Sequence, residues 1–198
     1  MSTAILVVII VIVVAAIVAA AYLARSGART RQLKQRFGPE YDRAVEKHGG
    51  RAAAERELRS REERHEELDL RELDPQRRER YREQWVGVQE RFVDNPGAAV
   101  EQADGLLTVV MGERGYPTHG FEEKVAHLSV EHGRTMDHYR RAHTISSRAK
   151  AGEASTEDLR QAMVHYRALF EELLAAPAAS TGGPAQRAGH ADGRTPRS

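Results

Sequence analysis

The chain contains no cysteine among its 198 residues. That absence excludes disulfides, thiolate zinc sites, iron–sulfur clusters and cysteine nucleophiles, and it leaves no residue for a lipoprotein to acylate. Aromatic residues are scarce at 6%, with a single tryptophan, so the core must be thin and mostly aliphatic. Asparagine occurs once, at Asn95, and there are 4 lysines against 26 arginines, which reads as the codon bias of a GC-rich genome. The sequence also lacks a Gly-x-x-x-x-Gly-Lys-Ser/Thr loop, a strand-linked Gly-x-Gly-x-x-Gly and a Gly-x-Ser-x-Gly elbow. It therefore shows no phosphate cradle and no activated serine.

What is present begins with Ala4–Leu23, twenty residues without a charge. At about 1.5 Å rise per residue a helix of that length spans roughly 30 Å, the thickness of a bilayer core. Valine and isoleucine are weak helix formers in water, but in lipid every backbone group must bond internally. Tyr22 falls where an interfacial ring is favoured. A secretory signal would carry a basic n-region and an apolar stretch of about 7–15 residues. Here only Met1-Ser2-Thr3 precede a longer run, so an uncleaved anchor is expected, although Ala19-Ala20-Ala21 has the character of a cleavage site.

The net charge of +1 hides an asymmetry. Arg25, Arg29, Arg31, Lys34 and Arg36 give residues 24–36 a charge of +5 with no acid. The tail from residue 175 carries +2, which leaves −6 for residues 37–174. An acidic body is poorly suited to nucleic acid, which needs a clustered positive face. A basic collar behind the span predicts a cytoplasmic body and an external N-terminus, and it offers contacts to anionic lipid.

After the anchor, no stretch alternates as a strand would. Gly38-Pro39 interrupts the collar helix, and Pro39 opens a helix to about residue 48 that Gly49-Gly50 stops. Residues 51–70 are dense in charge, with Glu55/Arg59 and Glu57/Arg61 at i,i+4. No coiled-coil seam of three heptads is found there, so a solvated helix lying on or projecting from the bundle is expected, the alternative being a partner-binding or coiled-coil helix. Asp74-Pro75 opens the main domain. Tyr81, Trp85, Val88 and Phe92 make one stripe, and Val100, Ala103, Leu107, Val110 and Met111 the next. Phe121, Val125 and Leu128 mark a third helix. Met136, Tyr139, His143 and Ile145 mark a fourth, over about 131–150. Ser155 and Asp158 form a capping box ahead of Leu159, Ala162, Met163, Tyr166, Leu169, Phe170 and Leu173.

The expected fold is all-α. It comprises an external N-terminus (1–3), a transmembrane helix (4–23), a basic juxtamembrane segment (24–37), charged helices (38–73) and an irregular antiparallel bundle of about five helices (74–175). A disordered tail (176–198) completes it.

Nine histidines raise the question of a metal. A di-iron bundle needs two Glu-x-x-His pairs, and only Glu62-x-x-His65 fits. His65-Glu66-Glu67-Leu68-Asp69 begins like a zincin but lacks the second histidine. Glu123 and His127 share a helical face, with His132 and His138 near in sequence. Such spacings arise often by chance in helical proteins, so the expectation is no metal, no cofactor and no catalytic residue. Histidines are expected at the surface, with His143 or His165 at a core edge. Trp85 is expected to anchor the core, its alternative being an interface anchor.

The segments Arg36-Phe37-Gly38-Pro39-Glu40-Tyr41-Asp42-Arg43, Phe92-Val93-Asp94-Asn95-Pro96, Arg114-Gly115-Tyr116-Pro117, Tyr139-Arg140, Ala142-His143 and Asp158-Leu159-Arg160 stand out together. Over about residues 30–174 the chain resembles an uncharacterised family of small bacterial proteins with one N-terminal membrane segment and a helical body. The resemblance implies that architecture and carries no activity with it. The expected function is a membrane-tethered, non-enzymatic interaction protein with an unidentified protein partner. The alternatives are a small-ligand or metal-sensing helical domain, or an exported protein cleaved near Ala21 or Ala24.

Overall fold

The computed structural model describes residues 3–175, and every regular element among them is a helix. There are eight: α1 (Thr3–Phe37), α2 (Pro39–Lys47), α3 (Arg51–Glu66), α4 (Pro75–Asp94), α5 (Pro96–Glu113), α6 (Phe121–His132), α7 (Met136–Lys150) and α8 (Thr156–Ala175). The expected disordered tail, the Tyr22 side chain, Met1 and Ser2 lie outside the described residues.

The helix boundaries follow local chemistry. Gly38, at φ +53°, turns the chain out of α1, and Pro39 supplies a preset φ for the first turn of α2. Asp74 caps α4 by accepting the Arg77 N–H at 2.9 Å. Asn95, the only asparagine, caps α5 by accepting the Ala98 N–H at 3.1 Å. The Ser155–Asp158 capping box forms in both directions, at 3.1 and 2.9 Å. The expected fourth helix divides differently from the sequence reading: His132 ends α6, a turn over 133–135 intervenes, and α7 starts at Met136.

Helices α4–α8 bury one large apolar cluster, which contains the expected stripes of α4, α5 and α8. Trp85 is 3% exposed and stacks on Phe170 with ring centroids 4.7 Å apart. A second, smaller cluster joins Leu33 and Phe37 of α1, Tyr41 and Ala44 of α2, Ala54 and Leu58 of α3, and Val130 of α6. The charged helix α3 thus lies on the body, and α6 serves both clusters, with Leu128 in one and Val130 in the other. The chain approaches itself closely at Gly133, where a Cβ would stand 2.4 Å from the Phe37 carbonyl oxygen. Only glycine lets the α6–α7 turn seat against the end of α1.

By length and composition, one helix among the described residues suffices to cross a membrane. It is the apolar α1, of mean hydropathy 2.1 over its best window.

Candidate functional site

On α3 the buried positions Ala54, Leu58, Arg61 and His65 recur at i, i+4, i+7 and i+11. This is a regular stripe whose last two members are polar, so an apolar count along the sequence cannot find it. Arg61 donates from Nε to Glu57 at 3.0 Å, which leaves its stem free to cover the seam. His65 is 4% exposed and reaches α6. Its Nε2 stands 3.4 Å from Oε1 of Glu131.

From there a chain of polar contacts crosses the molecule. Tyr116 donates from its hydroxyl to Oε2 of Glu131 at 2.8 Å, and the same hydroxyl lies 3.3 Å from Nε2 of His132. The other ring nitrogen of His132 is 2.9 Å from Oε1 of Glu172, and Thr135 donates to the second oxygen of that carboxylate. Five side chains from α3, α6, α8 and the 114–120 connection are thereby joined, with Thr135 at one end. Beside them Arg114, fully buried, donates to the Leu173 carbonyl at 2.8 Å.

The electrostatics follow from burial and partners. The His65 imidazole and the Tyr116 hydroxyl hold the Glu131 carboxyl down at about 2. Burial, reinforced by the Glu131 charge, drives the Tyr116 hydroxyl well above the ordinary phenol range, so it remains a donor. Glu172 is lowered by hydrogen bonds from His132 and Thr135 that outweigh its desolvation. His127, on the same side of α6, is lowered by burial and by the neighbouring His65. This is a chain of polar contacts that joins α3 to α6 and α8.

The surface clefts are lined by other residues. One of about 380 Å³ lies among α2, α3 and α7, bounded by Arg43, Lys47, Arg61 and Arg140 with Glu40 and Glu46. Its cations are engaged: Arg140 grips the buried Glu40 through two bonds of 3.0 and 3.2 Å, Arg43 pairs with Asp137, and Lys47 reaches Glu122 at 3.2 Å. A smaller apolar groove of about 200 Å³ runs between α4 and α8 beside Trp85.

The residues weighed for metal binding separate. Glu62 pairs with Arg36 at 3.1 Å, and Glu123 is exposed. His132 is committed to the polar chain, and His138 meets His165 at 2.9 Å across α7 and α8. Among the described residues no group of three or more potential ligands is positioned to hold a metal ion. The expectation of surface histidines is corrected for three of them. His65, His127 and His132 are buried at 4%, 7% and 3% exposure, because each occupies an inward position of its helix. His143 does sit at a core edge, stacked 3.8 Å from Phe121. Sequence reasoning missed the polar chain because its members come from four separate segments. Among its five members only Glu131 and His132 are neighbours in sequence.

Comparison with family models, curated proteins and solved structures returned no match.

Proposed function

We propose that the chain is a membrane-tethered, non-enzymatic interaction protein whose helical body is held at the cytoplasmic face to recruit or regulate a protein partner. One observation carries this reading. Val7, Ile10, Val11, Ile12, Val13, Val14, Ile17 and Val18 are each 50–63% exposed, and residues 10–14 alone step round the whole circumference of α1. A helix covered by a partner in water needs one apolar stripe, whereas a helix apolar on all sides needs lipid.

The tether is stiff. α1 continues without a break from the apolar run to Phe37, whose side chain is fully buried in the smaller core. On this reading the first contact of the body with α1, Thr30 with Glu55, lies roughly 10 Å beyond the apolar run at about 1.5 Å per residue. Of the five collar cations, Arg36 is bound to Glu62 and Lys34 lies 5.0 Å from the Tyr41 ring centroid. Arg25, Arg29 and Arg31 are exposed on the membrane side of these two. They are the residues we assign to anionic lipid, at about 1 kcal/mol each.

Topology mapping tests the reading. An export-dependent reporter fused after Leu174 is expected to be inactive and a cytoplasmic reporter at the same place active. The opposite pattern, or a mature N-terminus near Ala21 or Ala24, overturns it.

A further inference from the structure

The groove between α4 and α8 deepens this reading, on which the following proposal rests. We propose that it is the docking site for an amphipathic helix of the partner protein, one that inserts an apolar side chain and presents carboxylates to Arg160 and Arg167.

The groove is floored by Trp85, Phe92, Met163 and Val164, and the two charged side chains that line it are both arginines. Arg160 and Arg167 are two turns apart on α8, roughly 10 Å along the axis. Arg160 holds Glu157 through two bonds of 2.8 and 2.7 Å and Arg167 lies 3.5 Å from Glu171, both pairs within α8 and largely exposed, so an incoming carboxylate competes with a partner on the same helix. Tryptophan and arginine are the residues that dominate interface energetics. Trp85 also carries a buried indole N–H that meets no acceptor among the described residues. Of its apolar lining, Val164 is 55% exposed.

Size and charge select the occupant. Pockets for small molecules run about 300–1,000 Å³, whereas this groove of about 200 Å³ takes a side chain. Residues 176–198 of the same chain contain no aliphatic residue larger than proline and carry +2, the wrong sign for two arginines. A second copy docked through the same face about a two-fold axis would set arginines against arginines. A helix with an apolar stripe and acidic flanks satisfies all three constraints, in the helix-in-groove mode.

Trp85 is the only tryptophan, so its emission reports on the groove directly. The full chain in lipid nanodiscs is titrated with a synthetic helical peptide of leucine and glutamate, and with its counterpart carrying lysine in place of glutamate. The glutamate peptide is expected to shift Trp85 emission saturably, and the lysine peptide not to. The Arg160→Glu, Arg167→Glu double variant should weaken binding about tenfold or more, as loss of close charge pairs does. Val164→Asp, at an exposed position that leaves the core intact, should abolish the shift. Equal responses to the two peptides, unchanged binding by both variants, or an emission shift that depends on protein concentration alone would each overturn the groove assignment. A partner crosslinked equally by wild type and by Val164→Asp would also remove the groove while leaving the tethered-interaction reading in place.

Discussion

The large cluster gathers twenty-six buried apolar side chains, all but Leu70, Leu73 and Tyr116 from α4–α8; the smaller one, where the end of α1, α2 and α3 meet Val130 of α6, gathers seven. The smaller layer makes up the difference with polar contacts. Thr30 and Tyr41 both donate to Glu55, Arg36 pairs with Glu62, Arg140 with Glu40, and His65 with Glu131. Apolar packing is insensitive to salt and to mild acid, whereas ion pairs and titrating hydrogen bonds respond to both. The bundle therefore forms a stable body, and the layer that joins it to α1 is the part that conditions can loosen.

Breaking the bundle should have the largest effect. Phe170→Ala removes a fully buried ring stacked on Trp85 and should lower stability by about 3–5 kcal/mol, read as a shift in the denaturation midpoint of the full chain. A loss below about 1 kcal/mol would mean that the large cluster is not the main source of stability.

Next comes the junction. Glu40→Ala leaves the half-buried Arg140 without its bidentate partner, at a cost of about 2–3 kcal/mol. Its signature is local: hydrogen exchange should accelerate in α2 and α3 while α4, α5 and α8 keep their protection. Uniform acceleration would erase the distinction between the two regions. Gly133→Ala forces a Cβ against the Phe37 carbonyl and should cost about 1–3 kcal/mol, with the same confinement to the layer.

A pH series sharpens the comparison further. The folded-state pKa of His127 is lowered by burial from its ordinary 6.5, so the unfolded chain binds that proton first. Its contribution is intact above about pH 6.5 and is lost as pH falls through that value. Glu131 has a folded pKa of about 2 against an ordinary 4.5, so its contribution is present above 4.5 and disappears between there and about 2. The midpoint of thermal unfolding should therefore fall in two stages on acidification, and Glu131→Gln should diminish the second, to which the lowered Glu172 also contributes. A midpoint flat from pH 7 to pH 3 would exclude the polar chain as a source of stability.

The smallest effect is expected at the rim. Lys47 and Glu122 pair with both side chains about two-thirds exposed, and Lys47→Ala should change stability by no more than about 0.5 kcal/mol.

The five helices of the bundle were legible because their apolar residues repeat with the helical period, and because Asp74, Asn95 and Ser155 announce their starts. The smaller layer was not. Its stripe on α3 ends in Arg61 and His65, polar residues that reach inward positions only because α6 offers Glu131 and Ser129 opposite them. Trp85 was legible as a core residue, yet its place on the floor of a groove depends on Met163 and Val164 from a helix some eighty positions away.

By itself, then, the sequence determined the all-helical character, the places where most helices start and stop, and an apolar segment long enough to cross a membrane. These are properties of contiguous residues, set by local hydrogen bonding and by the period of burial. Only the tertiary structure decided that α1 ends inside a core, that three histidines are buried, and that one chain of polar contacts joins α3 to α6 and α8. Each of these depends on which side chains from distant segments stand within about 3 Å of one another. Helical period says which face turns inward, and the packed neighbour decides what that face meets.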